Sequence, residues 1–263
     1  MSSGEKEILS QHPCFNHKVG RWFTRLHLPV ATCCNIKCRY CSREYDCVNE
    51  NKPGVASRPL PPRLVLKRVY NILSQDERIR VIGVAGPGEP LASGETIDAL
   101  ERVHKRYPHI IKCVSTNGLM LEDSLDRLES VGVKTITVTV NAVDPIIGSK
   151  IYSAVFYNNK PYQGVAGAKL LLKKQLAGIR EARKRGVLVK VNTVLIPGIN
   201  NHHLNQVAIA VKEAGAFIMN LVPFFPQAEL TLLPATSEGV LDVAKHELEP
   251  IIRQTKQSYQ CFC

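Results

Sequence analysis

The sequence predicts an α/β protein, a single domain folded as a partial, TIM-like (β/α)6 barrel. Six short apolar runs alternate in series with helix-length amphipathic segments, which calls for a parallel sheet joined by right-handed crossovers. Turn residues separate these runs at intervals suited to that alternation, with no repeat, low-complexity tract or obvious linker. A chain of 263 residues with 44% hydrophobic residues is long enough to bury one large core. The expected domain covers 1–263, with a barrel core at about 24–235 and extensions at 1–23 and 236–263.

The first strand is read at 25–31, followed by a long cysteine-bearing loop to about residue 58. Pro61 and Pro62 mark a helix start, and Leu66, Val69, Tyr70 and Leu73 then share one face. Strand two, 80–84, runs into Gly86-Pro87-Gly88-Glu89-Pro90, and a helix follows at about 95–107. Strand three, 110–114, ends in Ser115-Thr116-Asn117-Gly118 and leads through a helix at 121–131 to strand four, 135–140. The loop from Asn141 to about Gly167 is the longest and carries Tyr152, Tyr157 and Tyr162, as a lid would. A helix at 168–185 sets Leu172, Leu176 and Ile179 on one face until Gly186 stops it. Strand five, 187–193, is followed by Leu195-Ile196-Pro197-Gly198, a helix at 203–214, strand six at 217–222 and a final helix at about 240–255.

Composition narrows the function classes. No apolar run of about 18 residues appears, so a membrane span is not expected, and the polar start, 1–11, does not resemble a secretory signal. Nine cysteines in such a chain point to metal or redox use in the reducing cytoplasm. The formal charge of +11 is spread along presumed helix faces and reads as a solvated surface or as a balance to anionic cargo. No nucleic-acid motif accompanies it.

The chemistry gathers at Cys34-Asn35-Ile36-Lys37-Cys38-Arg39-Tyr40-Cys41, a C-x3-C-x2-C triad directly after an apolar run. Three thiolates on one loop can hold three irons of a cubic [4Fe-4S] cluster and leave the fourth iron open. A zinc site or buried structural thiols are the alternatives, although zinc usually takes paired cysteines with a second pair or histidines downstream. In a barrel of this type the strand C-termini share one rim, and that rim carries the site. Gly86, Gly88 and Glu89, then Ser115, Thr116 and Asn117, then Thr139, Asn141, Asn192 and Ile196 all fall at or just past predicted strand ends. Cys14, His27, Cys47, Cys113, Cys261 and Cys263 are further possible ligands, enough for two more clusters. Cys33 is read as a bystander thiol.

The triad, with Tyr40 just before its last cysteine, resembles the signature of the radical S-adenosylmethionine (radical SAM) enzymes. A closer resemblance, to the NifB family of nitrogenase cofactor maturases, is carried by several segments. They are His12-Pro13-Cys14-Phe15-Asn16, Arg25-Leu26-His27-Leu28-Pro29-Val30-Ala31 and Glu50-Asn51-Lys52-Pro53-Gly54-Val55, then Ala85-Gly86-Pro87-Gly88-Glu89-Pro90, Ser115-Thr116-Asn117-Gly118 and Val138-Thr139-Val140-Asn141-Ala142-Val143-Asp144-Pro145. The resemblance implies a lyase-like radical SAM enzyme that fuses two [4Fe-4S] clusters around a carbide derived from S-adenosylmethionine (AdoMet), giving an eight-iron precursor of the nitrogenase cofactor. It assigns Cys34, Cys38 and Cys41 to the AdoMet-bearing cluster, and His27, Cys47 and Cys113 to one precursor cluster. Cys14, Cys261 and Cys263 fall to the other, and Glu50 to a carboxylate near the first.

Tyr40, Gly86, Gly88, Glu89, Ser115, Thr116, Asn117, Thr139, Asn141, Asn192 and Ile196 become the expected AdoMet contacts, with Gly88 and Glu89 at its amino group. The implied partners are an iron–sulfur cluster donor protein, a ferredoxin-like electron donor and a downstream cofactor carrier, around a monomeric enzyme. Two departures stand out. Lys52 occupies the place of a family arginine, and the chain stops in a C-x-C at Cys263. An organic or peptide substrate served by auxiliary clusters, or a non-catalytic iron–sulfur scaffold, would be the competing functions.

Overall fold

The computed structural model describes residues 2–51 and 53–255. Helix α1 (Ser3–Gln11) opens on a capping box, in which the Ser2 hydroxyl accepts from Glu5 N–H and the Glu5 carboxylate accepts from Ser2 N–H. Strand β1 (Thr24–His27) is shorter than the expected 25–31, because Pro29 cannot donate to a ladder. Within the cysteine loop lies β2 (Ile36–Cys38), which the sequence reading left as loop.

The chain then alternates as expected through α2 (Val65–Leu73), β3 (Ile79–Val84), α3 (Glu95–Arg106), β4 (Ile111–Thr116), α4 (Leu121–Ser130) and β5 (Val133–Thr139). The stretch read as a 141–167 lid is not a loop. It holds α5 (Pro145–Ile151), β6 (Tyr152–Tyr157) and β7 (Lys160–Gln163). Asp144 caps α5 with its side chain, and Asn158 and Asn159, both at positive φ (51° and 59°), make a tight hairpin turn. Helix α6 (Gly164–Lys184), β8 (Leu188–Leu195), α7 (Leu204–Ala214) and β9 (Ile218–Pro223) complete the alternation. The last helix, α8 (Glu238–Leu248), stops well short of residue 255. Pro250 disfavours helix at the residue before it, and the tail turns back to β9, where Thr255 N–H donates to the Met219 carbonyl.

Six strands form one parallel sheet in the order β1-β3-β4-β5-β8-β9, and β2-β6-β7 form a small antiparallel sheet over the rim. The large sheet is two-sided in a specific way. Leu26, Ile82, Val114, Ile136, Val138, Val189 and Val191 face outward into the main core with Leu100, Val103, Leu125 and Val207 from the helices. Each such buried aliphatic side chain contributes roughly 1.5–3 kcal/mol. The alternate positions Arg25, His27, Cys113, Thr135, Thr137, Thr139, Lys190, Asn192 and Asn220 face inward, so the barrel lining is polar. Phe15, at 1% exposure, packs on Leu188 and Ile218 and closes the inner end of the barrel, carrying Cys14 with it.

Candidate active site

The triad loop is pinned by pairing of β2 with β6, by Phe156 N–H to the Asn35 carbonyl (2.8 Å) and by Arg39 N–H to the Ile151 carbonyl (2.8 Å). Tyr40 is a buried post beneath it. Its hydroxyl donates to Asn49 Oδ1 (3.0 Å) and accepts from Asn141 Nδ2 (2.8 Å). Asn117 Nδ2 reaches Asn35 Oδ1 at 2.7 Å, tying the end of β4 to the residue between Cys34 and Ile36.

The glycine turn after β3 is stitched to both arms of the cysteine loop. Gly88 N–H donates to the Ala31 carbonyl (2.6 Å), Glu89 N–H to the Cys33 carbonyl (2.7 Å), and Cys47 N–H to the Pro87 carbonyl (3.0 Å). A Cβ on Gly88 would stand 2.2 Å from the Cys33 oxygen, so only glycine permits this approach. The Glu89 carboxylate is buried at 4% exposure and collects three donors. Oε1 accepts from Leu91 N–H (2.9 Å) and Thr116 Oγ1 (2.5 Å), and Oε2 accepts from Asn117 N–H (2.6 Å). Burial pushes its pKa up to about 7 against the pull of those three hydrogen bonds. Oε2 keeps lone-pair capacity for one further donor.

These elements enclose a cavity at the rim of the barrel. Cys34, Cys38, Cys41, Tyr40, Gly88, Glu89, Ser115, Thr116, Asn117 and Thr139 all line it, together with Cys47, Asn49 and Glu50. Four expected contacts lie off this wall. Gly86 lines a neighbouring cavity beside His27, Ile196 sits at 0% exposure in the apolar core beneath the rim, and Asn192 lines the Cys14 cavity. Asn141 is a lock within the fold, since its Oδ1 accepts from Val194 N–H (2.8 Å) and its own carbonyl accepts from Asn200 Nδ2 (2.8 Å).

The other sulfur ligands divide between two places. His27 and Cys113 occupy one row of the sheet, on either side of Gly83, whose missing side chain leaves the space between them. Cys47 stands on the triad side, lining the same cavity as Cys34, Cys38 and Cys41. Cys14 opens into a larger cavity lined also by Arg25, Asn49, Glu50, Lys190, Asn192 and Asn220. Arg25 Nη1 donates to the Cys14 sulfur. Asn49 and Glu50 line both this cavity and the triad cavity, so they form the partition between the two. Cys261, Cys263 and Lys52 lie outside the described residues. The last described residue, Thr255, lines the Cys14 cavity six positions before Cys261.

Electrostatics favour protonated thiols before any iron binds. Burial pushes Cys34 and Cys41 upward and Cys38 and Cys47 well upward, with neighbouring thiols and Glu89 adding to the shift. His27 is pushed well below the ordinary histidine range by enclosure and by Arg25 and Lys190, so it stands as a neutral imidazole able to ligate. Among the described residues no three His, Cys, Asp or Glu side chains converge on a single-ion position. Thiols spaced more widely suit a cluster, in which each binds its own iron. The donor set fits an iron–sulfur cube on the triad, beside a cradle for a ligand that carries an amino group.

Sequence reasoning missed Arg25, Lys190, His12, Asn49, Asn220 and Gln175. The first two were discoverable, because Arg25-Leu26-His27 and Val189-Lys190-Val191-Asn192 insert polar residues at every second position of an otherwise apolar strand. Gln175 was not, as its role is long-range. Its Nε2 donates to the Asn117 (2.9 Å) and Thr139 (2.8 Å) carbonyls, joining two strand ends to α6.

Comparison with known proteins agrees with this geometry. Residues 28–209 match the radical SAM superfamily. The chain is 41% identical over 256 residues to the FeMo cofactor biosynthesis protein NifB of Methanocaldococcus infernus, covering 97% of this chain and 84% of that one. It is 39% identical to the NifB of Chlorobaculum tepidum, covering 96% of this chain and 60% of the relative, and 42% identical to that of Sinorhizobium fredii, covering 85% and 45%. The chain thus spans about half the length of several relatives. Among solved structures, Streptococcus suis SuiB bound to S-adenosylmethionine superposes with a TM-score of 0.63 at 12% identity, covering 97% of this chain and 56% of SuiB. A radical SAM methyltransferase from Sphaerobacter thermophilus superposes at 0.62 and 19% identity, covering 88% and 65%. These two likenesses concern the fold.

Proposed function

This chain belongs to the radical SAM superfamily and, within it, to the NifB family, and from that membership we propose that it is a carbide-forming maturase of the nitrogenase cofactor. In this reading Cys34, Cys38 and Cys41 hold a [4Fe-4S] cluster whose open iron takes AdoMet. Bound there, the pair supplies one-electron reductive cleavage of the sulfonium. Glu89 accepts the AdoMet ammonium on the free side of Oε2, while Thr116 and Asn117 hold the carboxylate in place. Gly88 keeps the cradle open, and Tyr40 fixes the height of the triad loop. The roofing sheet β2-β6-β7 excludes water from the reacting atoms.

The substrates are two [4Fe-4S] clusters, one held by His27 and Cys113 with Cys47 reaching from the partition, the other by Cys14 with Cys261 and Cys263. Their fusion around a carbon from an AdoMet methyl group yields the eight-iron product. The observation that carries this reading is the shared Asn49–Glu50 wall, which leaves a single layer of residues between a cysteine triad and a second thiol-bearing cavity. Six residues from Thr255 can span up to about 20 Å, enough to bring Cys261 to Cys14. The reading calls for a cluster donor, a ferredoxin-like electron donor and an acceptor of the product as partners.

Iron per chain after anaerobic reconstitution tests it. About twelve irons, falling by about four in Cys14→Ala, is the expected result. About four irons, unchanged by that substitution, would reduce the protein to an ordinary radical SAM enzyme. Cys34→Ala is expected to abolish 5'-deoxyadenosine formation, and a modified organic compound with no released cluster would contradict the maturase assignment.

A further inference from the structure

His27 opens onto a cavity that the triad and Cys14 do not share. It lines neither of their two cavities, and lines instead the one that runs out past Ala85 and Gly86 to the loop before α2. At the inner end the imidazole is half-buried, and its Nδ1 is enclosed with no hydrogen-bond partner. At the outer end stand Arg58, Arg63 and Arg68, all exposed. Arg63 lies in the 3-10 turn Pro62–Leu64 and Arg68 on α2. The backbone around Arg58 is fixed on both sides. Ser57 donates from N–H to Asp46 Oδ1 (2.9 Å) and from Oγ to Asp46 Oδ2 (2.6 Å), and Leu60 N–H donates to the Pro29 carbonyl (2.9 Å). Asp46 is the one carboxylate among the lining residues, and both of its oxygens serve Ser57. None of the three guanidiniums makes an ion pair or a side-chain hydrogen bond among the described residues.

Three guanidiniums against one carboxylate leave the passage positive with Asp46 counted in full. A cleft of that sign concentrates anions and speeds their capture, by about 10- to 1,000-fold at low salt. It disfavours AdoMet, whose sulfonium and ammonium outweigh its carboxylate. Arginine suits the task because its guanidinium is weakly hydrated and yields its water readily to an approaching anion. We propose that this cavity is the entry route for the anionic iron–sulfur cluster that His27 receives, with Arg58, Arg63 and Arg68 steering it in from solvent by a path separate from the AdoMet cradle. The identity of the cargo rests on the maturase reading. Capture is a ligand exchange without redox change. The neutral imidazole bonds one iron and displaces an external thiolate, which takes a proton from water. A cysteine thiol that bonds a second iron passes its own proton to the thiolate it displaces.

The test uses the full chain, prepared anaerobically as wild type, as a triple variant with Arg58, Arg63 and Arg68 changed to Gln, and as the same triple changed to Lys. Each is also made with His27→Ala, so that the difference gives the His27-dependent iron. Uptake is followed by rapid mixing with two synthetic [4Fe-4S] clusters, one with neutral thiolate ligands and one whose thiolates end in carboxylates. The Gln variant is expected to take up its His27-dependent iron about tenfold more slowly than wild type at low salt, and the two rates should converge at high salt. The carboxylate-ended cluster should load wild type faster than the neutral-ended one, a preference that the Gln variant loses and the Lys variant keeps. All three arginines are exposed, so melting should be unchanged. A wild-type rate in the Gln variant would overturn the route. Equal slowing of the iron that does not depend on His27 would mark a general surface-charge effect and overturn it too. Equal iron in wild type and His27→Ala would overturn the cluster assignment beneath the proposal.

Discussion

Asn192 Nδ2 donates to Glu50 Oε1 at 2.5 Å and to the Asn49 carbonyl at 2.8 Å, so one side chain of β8 holds the wall between the triad cavity and the Cys14 cavity. The link continues across the barrel, since Asn220 Nδ2 donates to Asn192 Oδ1 (3.2 Å) and Thr255 Oγ1 donates to Asn220 Oδ1. Replacing Asn192 by Val removes donors from Asn49 and Glu50 and an acceptor from Asn220, all buried. A loss of about 2–4 kcal/mol is expected, read as a lower urea midpoint at unchanged slope. A loss confined to a few tenths would mean that the wall stands without this residue.

Gly88→Ala places a Cβ 2.2 Å from the Cys33 carbonyl oxygen, so the glycine turn must part from the cysteine loop. Destabilisation of about 1–3 kcal/mol is expected, with iron uptake falling by about the four irons of the triad cluster. Gly94→Ala, where nothing lies within 4 Å, is the control and should leave both quantities unchanged.

Glu89 should give the protein an inverted acid response. Its folded pKa of about 7 lies above the ordinary carboxylate value of 4.5, so between those limits the folded chain keeps a proton that the unfolded chain has released. Its contribution to stability is therefore fully present below pH 4.5 and is lost as pH rises through 7, by roughly 3 kcal/mol in all. The difference in melting between wild type and Glu89→Gln across this window isolates the effect from the histidines, and a flat difference would refute it. AdoMet binding, which needs the charged carboxylate, should weaken below pH 7 in wild type and be insensitive in the variant.

Thiol chemistry should separate the cysteines before any iron is added. Cys33 is exposed, whereas burial pushes Cys38 and Cys47 well above the ordinary thiol range. Alkylation at pH 8 should label Cys33 first and these two about tenfold more slowly, because the thiolate is the nucleophile. Iron uptake must release the same protons and should quicken as pH rises. Cys33→Ser should keep the wild-type iron content.

Local periodicity carried most of the fold. Val189 and Val191 could be assigned to a buried strand, and the rim position of Ser115, Thr116 and Asn117 followed from the (β/α) order alone. Residues 145–163 were misread because their hairpin is stabilised by pairing with β2, more than 110 positions away, and only Asn158-Asn159 signalled the turn locally. Helix α1 was missed although Ser2 and Glu5 spell its capping box. In the site, residue type found the sulfurs but not their neighbours. Nothing in the spacing of Cys41 and Cys47 said that Cys47 would stand with the triad, and the meeting of Cys14 with Arg25 depends on the N-terminal segment folding back into the barrel.

The alternation along β1, β4 and β8 has a consequence for how errors in folding are caught. Outward Leu26, Val114, Val189 and Val191 sit one residue from inward Arg25, His27, Cys113, Lys190 and Asn192. A slip of one position in any strand exchanges the two sets, driving charge into the helix layer and aliphatic side chains into the lumen. Misaligned chains therefore forfeit their stability at the same moment as their ligand groups.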